Sequence, residues 1–265
     1  GLDEGLVRHL PRKSEAERVA LTRLAFLITV PISLTLGVLV AANAQFIASN
    51  ILQDDSITTS IRIFGAAIPF ASILTLSIGG IRGQEVSRYR VYIENLLRPT
   101  LRFGFVIAAV IFALGQAGFA LAYAVPYAVA AAIAVLLLLR TFNTSSLAVE
   151  ANTESIDFIR YSLPMTVSRA ASFVYRSADI FLLLFFLNAE AVGAYGVAYA
   201  AGRLVGMFSM AFNFLGAPIA SKIEATAGVD DMVTAHQPVL RWLVILSIPA
   251  MTPLVLFPEP FITGV

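Results

Sequence analysis

The sequence predicts an all-α fold, a polytopic transmembrane bundle of about seven helices, and three observations support this prediction. Hydrophobic residues make up 58% of the chain and charged residues 13%, whereas soluble domains carry about 25% charged residues. The mean hydropathy is +0.82. No charged residue lies between Arg102 and Arg140, and a membrane-spanning helix requires about 20 consecutive apolar residues. The chain therefore has the composition of a protein that resides in lipid.

Seven apolar stretches are candidate membrane spans. They cover residues 22–43, 61–80, 102–117, 119–139, 158–187, 191–219 and 238–257. The third and fourth are predicted to form a helical hairpin, because Gly115-Gln116-Ala117-Gly118 is a turn signal between them. The chain begins without Met or a signal-peptide pattern and its last residues are apolar. We therefore expect an internal fragment of a longer protein, truncated at both ends.

The cations are distributed along the chain in a way that predicts its orientation. Thirteen Lys and Arg residues fall in four loops and none in the intervening loops 44–60, 115–118, 188–190 and 258–265. Cytoplasmic loops are enriched in Lys and Arg, so the four basic loops are predicted to be cytoplasmic: 1–20, 81–102, 140–160 and 222–241. The basic, amphipathic loop 81–102 is either an interfacial segment that contacts lipid headgroups or a solvated loop helix. The predicted location is the cell (plasma or inner) membrane, with multiple passes.

The same residues argue against several classes of function. The net charge is +1 without a basic block, so no nucleic-acid partner is expected. The chain has no cysteine, and His9 and His236 are isolated loop residues, so neither a metal site nor a cofactor is predicted. The sequence contains no glycine-rich phosphate loop, and its loops are too short to hold a soluble catalytic domain. We therefore predict a protein that is not an enzyme.

Charged residues interrupt the fifth and sixth spans. Arg169 and Arg176 are seven residues apart and share nearly one helical face, and Asp179 follows three residues later. A charge at the bilayer centre costs about 2.5–3.5 kcal/mol on insertion scales, so these groups are expected to face a bundle interior. Together with Arg203 they predict a cationic substrate-binding cavity, in which three buried arginines and one buried acid complement a phosphate or pyrophosphate. Two alternatives stay open: Arg169 reaches the cytoplasmic headgroups, or Arg176 and Asp179 form a structural ion pair.

Small residues and prolines in the spans predict helix packing and motion. A small-xxx-small pattern in the sixth span is typical of close helix approach, and its members are Ala194, Ala198, Gly202 and Gly206. Prolines inside spans are candidate hinges, and these are Pro31, Pro164 and Pro249. Residues 23–31 align without a gap on residues 241–249, which indicates two related halves in parallel orientation.

Five short runs resemble the polysaccharide and O-antigen (lipid-linked oligosaccharide) flippases of the multidrug/oligosaccharidyl-lipid/polysaccharide superfamily. They are RYSLP at 160–164, SADIFLLLFFL at 177–187, AVGAYGVAY at 191–199, APIASK at 217–222 and LRP at 97–99. The resemblance implies a MATE-like architecture of two helical lobes around a central cavity. It assigns residues 1–142 to the N-terminal lobe (the end of helix two through helix six), 143–157 to a cytoplasmic linker and 158–265 to the start of the C-terminal lobe (helices seven to nine).

The resemblance also implies a function. Members of this family flip a polyprenyl-(pyro)phosphate-linked oligosaccharide across the membrane by alternating access, during export of cell-surface polysaccharide. The implied partners are this glycan substrate, membrane lipids and a coupling ion, either proton or sodium. One alternative is a MATE-type cation-coupled exporter of small molecules, which the excess of arginine in the cavity argues against. A second is a membrane-embedded glycan polymerase, which the short outer loops argue against.

Overall fold

The structure is a computed structural model that describes residues 1–86, 88–142, 154–187, 191–203, 241, 244–249, 251–252 and 256. These residues form helices, connecting turns and no strand, which confirms the all-α fold class. The long helices are α1 (Leu2–His9), α2 (Glu15–Ala42), α3 (Thr58–Gly83), α4 (Arg98–Ile111), α5 (Gly115–Arg140) and α6 (Glu154–Phe186). A further helical segment covers residues 191–203.

Three helical stretches of the described chain are long and apolar enough to cross a membrane. They are Glu15–Ala42, Asp55–Gly83 and Gly115–Arg140, and they coincide in large part with the first, second and fourth predicted spans. In α2, the helix begins at a capping box in which the Ser14 amide donates to the Glu17 carboxylate at 2.9 Å. About half of the sixth and of the seventh predicted span lies outside the described residues.

The hairpin of α4 and α5 is present, but its turn and its first helix differ from the predicted bounds. The turn lies at residues 112–114, where Ala113 has a φ of 47°, and Gly115 already begins α5. Before α4, residues Arg88–Arg90 are α-helical and Val91–Leu97 are π-helical, so the helical run begins at Arg88. The helix therefore extends upstream of the predicted span, and the start of the membrane span at residue 102 stays a prediction.

Helix α3 is the centre of the first part of the fold, because α1, α2 and α5 all pack against it. One apolar cluster joins α1, α2, α3 and α6 through Leu6, Leu10, Leu21, Ala25, Leu76 and Phe158. A second joins the π-helical turn to α3 and α5 through Leu74, Ile78, Ile93, Ala130, Ala131 and Ala134.

By internal contacts the chain divides into two compact units, Gly1–Arg176 and Ser177–Val265. Helix α6 begins at Glu154, so the last residues of the predicted linker 143–157 are helical, while 143–153 lie outside the described residues. The Phe158 side chain is fully buried in the core of the first unit. The start of α6 therefore packs with residues of the predicted N-terminal lobe, and the division into two lobes stays a prediction.

Cysteine labelling of the full-length protein tests the orientation. The carboxylate of Asp54, in the turn between α2 and α3, accepts hydrogen bonds from the Ser56 amide at 2.9 Å and hydroxyl at 2.6 Å. These bonds lower the pKa of Asp54. We expect Ser56→Cys to react with a membrane-impermeant maleimide from outside, and Arg12→Cys to react only after permeabilisation. The reverse pattern would overturn the predicted topology.

Candidate functional site

An ion cluster joins α1, α3 and α6. Arg169 on α6 donates hydrogen bonds to Asp3 Oδ2 at 2.8 Å and to Glu4 Oε1 at 2.5 Å. A guanidinium nitrogen of Arg82, near the end of α3, lies 3.5 Å from Glu4 Oε1. The Asp3 side chain is 9% exposed and the Arg169 side chain 47%. The cluster therefore encloses a carboxylate and leaves part of one guanidinium accessible.

Glycines place α1 close enough to its neighbours for this cluster to form. Helices α1 and α6 run antiparallel, and a Cβ added at Gly5 would lie 2.1 Å from Ser162 Oγ. On the side of α3, a Cβ added at Gly79 would lie 2.7 Å from the Asp3 carbonyl oxygen. Because both contacts exclude a side chain, the backbone of α1 lies directly against α3 and α6, within reach of Arg169 and Arg82.

A cavity of about 470 Å³ lies beside Asp3. Its lining includes the apolar residues Leu2, Ile32, Leu36, Ile68, Ala71 and Leu76. It also includes five hydroxyl-bearing residues of α2, α3 and α6: Thr29, Ser33, Ser72, Thr75 and Thr166. Ser33 donates to the Val30 carbonyl at 3.0 Å, whereas Thr29 Oγ1 is buried without a hydrogen-bond partner in the described part of the chain. Hydroxyl groups both donate and accept hydrogen bonds. The cavity therefore combines apolar surface with hydroxyl groups, beside a carboxylate that is paired with Arg169.

The structure shows where three of the arginines lie in the described part of the chain. Arg169 is half-exposed and has two acidic partners. The side chains of Arg176 and Arg203 are exposed, and the assignment of all three to a cationic cavity stays a prediction. Near Arg176, the side chains of Val174 and Tyr175 are 60% and 86% exposed. This stretch of α6 is therefore left uncovered by the unit Gly1–Arg176.

Asp179 lies in the second unit and has its own partners there. Its carboxylate accepts hydrogen bonds from the hydroxyl of Tyr195 and from the amide of Ile180, the latter at 2.9 Å. Tyr195 in turn stacks on Tyr199, with ring centroids 5.9 Å apart. Asp179 therefore links the end of α6 to the segment 191–203. The predicted pair between Arg176 and Asp179 stays a prediction, as does the role of both residues in substrate binding.

The predicted packing face and hinges also stay predictions. A Cβ added at Gly202 would meet no heavy atom within 4 Å, and Gly206 lies outside the described residues. Pro31 and Pro164 lie inside α2 and α6, and Pro249 is the last residue of the helical stretch 244–249.

Sequence reasoning missed Asp3 and Glu4, because residues 1–20 were predicted to form a cytoplasmic loop. A signal for them was present: Gly5-Leu6-Val7-Arg8 resembles the end of a membrane helix, and two adjacent acids directly before it require cationic partners.

A comparison with protein families matches this part of the molecule. The model of a family described as "Polysaccharide biosynthesis protein" matches residues 1–223. No match was found among curated proteins or among solved structures. The matched range covers more than half of the chain and contains α1 to α6, the ion cluster and the hydroxyl-lined cavity, and it agrees with the flippase resemblance of the short sequence runs. The chain belongs to the polysaccharide biosynthesis protein family.

Proposed function

We propose that the protein containing this chain is a flippase that carries a polyprenyl-(pyro)phosphate-linked oligosaccharide across the membrane by alternating access. Family membership supports the coarser statement, a membrane transport role in polysaccharide production. The observation that carries the finer proposal is the ion cluster of Arg169, Asp3 and Glu4, because it lies beside a hydroxyl-lined cavity and joins helices on which a conformational change can act.

The cavity and its surroundings suit the two chemical parts of such a substrate. A glycan carries many hydroxyl groups, and the cavity lining includes the hydroxyl-bearing residues Thr29, Ser33 and Ser72. A phosphate or pyrophosphate requires cationic donors, which arginine provides in a planar, bidentate arrangement. Arg176 is exposed and lies seven residues after Arg169, about 10 Å along α6. Arg176 can therefore bind a phosphate directly, whereas Arg169 is already paired with Asp3 and Glu4.

The ion cluster also provides an element with two states. With Arg169 bound to Asp3 and Glu4, α6 is held against α1. Separation of the helices breaks these bonds and releases an arginine for the substrate phosphate, so the phosphate compensates for the lost pairing. Such a substrate has different interaction free energies with the two states, which is the requirement for a ligand to shift a conformational equilibrium.

The competing function is a cation-coupled exporter of small molecules. The observation that favours it is Asp3, since its carboxylate lines the cavity and an organic cation would bind an acid. Arg169 already pairs with that carboxylate at 2.8 Å, which favours the flippase.

Replacing Arg176 by alanine tests the proposal. In the full-length protein we expect Arg176→Ala to lower glycan export about tenfold, because one charge-assisted contact to the phosphate is lost. Export is measured as surface polysaccharide in a strain that depends on this protein, with protein level in the membrane measured in parallel.

The matched control is Arg12→Ala, which removes an exposed arginine outside the spans and should leave export unchanged. Normal export by Arg176→Ala would contradict the assigned role. Efflux of organic cations without export of glycan would favour the exporter instead.

A further inference from the structure

A second cavity lies between α4 and α5, away from the ion cluster. Its volume is about 460 Å³, and two arginines of α4 and two tyrosines of α5 line it: Arg98, Arg102, Tyr123 and Tyr127. The charge distribution predicts that both arginines belong to the cytoplasmic loop 81–102. The structure places all four around one space.

Each arginine lies over the ring of one tyrosine. Cζ of Arg102 is 3.4 Å from the centroid of the Tyr123 ring, and Cζ of Arg98 is 5.2 Å from that of Tyr127. The two arginines are four residues apart on α4, and the two tyrosines are four residues apart on α5. The arginines therefore share one face of α4 and the tyrosines one face of α5. The antiparallel hairpin sets these two faces against each other. Stacking on a ring stabilises the guanidinium charge and leaves its in-plane N–H donors for another acceptor. Within the described chain, no carboxylate forms an ion pair with Arg98 or Arg102.

The depth of this cavity along α5 argues that it lies inside the bilayer core. Helix α5 runs from Gly115 to Arg140, about 39 Å at 1.5 Å per residue. Tyr123 and Tyr127 are therefore about 12 to 18 Å from its start and at least about 20 Å from its end. Packing continues toward that end, where Ile93 contacts α5 in the second apolar cluster. With a hydrocarbon core of about 30 Å, both tyrosines lie within it.

The position of Arg98 and Arg102 at the depth of Tyr123 and Tyr127 indicates a ligand that passes through the membrane. An ionisable side chain in the core is costly and marks a substrate or ion pathway. Phospholipid headgroups remain at the two interfaces, so a resident lipid does not reach this depth. A phosphate attached to a transported lipid does, and two arginines complement its planar pairs of oxygens.

We propose that Arg98 and Arg102, held against Tyr123 and Tyr127, bind a phosphate group of the lipid-linked substrate midway through the membrane. The proposal rests on the proposed flippase function and adds a phosphate site on α4 that is separate from the arginines of α6. Phosphate chemistry is shared by the transported lipid and by bilayer phospholipids, and the experiment separates the two sources.

The test measures binding to purified full-length protein by titration, with the thermal unfolding midpoint as readout. The probes are farnesyl diphosphate, inorganic pyrophosphate and the phospholipid phosphatidylglycerol. We expect farnesyl diphosphate to stabilise the wild type, and the double variant Arg98→Gln/Arg102→Gln to bind it about tenfold more weakly or worse, since two charge-assisted donors are lost. A second double variant, Arg98→Lys/Arg102→Lys, keeps both charges and lacks the planar donors. This Lys variant is expected to bind farnesyl diphosphate severalfold more weakly than the wild type. It replaces the Gln variant in the test if the Gln variant does not accumulate in the membrane.

The matched control is Arg88→Gln. Arg88 is an exposed arginine in the same helical run, 5.1 Å from the ring centroid of Tyr89, and its loss should leave binding unchanged. Unaltered affinity in both double variants would overturn this phosphate site while leaving the flippase proposal intact. Equal stabilisation by phosphatidylglycerol that depends on Arg98 and Arg102 would also overturn it, since the ligand would be a bilayer lipid. If the wild type binds neither diphosphate probe, the proposed function fails together with the site.

Discussion

Replacing Arg169 by glutamate is expected to reduce glycan export by the full-length protein about a hundredfold. The change places a third carboxylate against Asp3 and Glu4, which now accept hydrogen bonds from Arg169 at 2.8 and 2.5 Å. Because the Asp3 side chain is only 9% exposed, water cannot screen the repulsion fully, and an uncompensated buried charge is strongly destabilising. Helix α6 would then lose its contact with α1. Export of surface polysaccharide is the measurement, normalised to the protein level.

A charge swap separates this structural pairing from direct substrate binding. The double variant Asp3→Arg/Arg169→Asp restores an ion pair between the same two helices and keeps Glu4 beside the new arginine. We expect it to regain most of the export lost in Arg169→Glu. The control is Arg90→Glu, since Arg90 pairs with Glu94 at 2.7 Å on a single exposed helical surface. Such i,i+4 pairs contribute only about 0.3–0.5 kcal/mol, so export should persist. Full export by Arg169→Glu would show that the cluster is dispensable.

Replacing Gly65 by leucine is expected to have the second large effect, a loss of folded protein. A Cβ added at Gly65 on α3 would lie 2.9 Å from the carbonyl oxygen of Gly37 and 2.9 Å from the backbone nitrogen of Ala41, both on α2. The neighbouring atoms are backbone, so a larger side chain must push the two helices apart. Inserting extra volume into a packed interior costs about 1–3 kcal/mol, and here the displacement affects the helix that α1 and α5 also contact.

The matched control for this change is Gly104→Leu in α4. A Cβ added at Gly104 would meet no heavy atom within 4 Å, so the same substitution adds apolar surface without overpacking. The measurement is the unfolding midpoint in detergent together with the level of membrane-inserted protein. We expect Gly65→Leu to lower both and Gly104→Leu to change neither. Equal behaviour of the two variants would mean that α2 and α3 are not in close contact in the membrane.

The two predictions concern two kinds of helix contact. The Gly37–Gly65 contact fixes α2 on α3 through backbone atoms, whereas the ion cluster holds α6 through long, partly exposed side chains. The alternating access proposed above requires both rigid helix pairs and interfaces that open. In that proposal the first contact belongs to a rigid interior and the second to an interface that separates.

The sequence by itself determined the class of fold and the composition of its helices. In lipid every backbone amide and carbonyl must be hydrogen-bonded within the segment, so a long apolar stretch such as Gly115–Arg140 has no alternative to a helix. Hydropathy is a local property of the chain, and it predicted the spans that correspond to α2, α3 and α5. Short family motifs, also local, predicted the polysaccharide family that the match over residues 1–223 confirms.

Only the tertiary structure decided which group each charge contacts. Arg169 and Asp3 are separated by 166 positions, and helical periodicity gives the face of a side chain but not the helix opposite it. For the same reason the sequence could not give the neighbours of Arg98 and Arg102, since the rings of Tyr123 and Tyr127 come next to them only when the hairpin closes. The energy of a charge in lipid depends on its neighbours rather than on its position in the chain. The charged sites of this protein are therefore a product of how its helices pack.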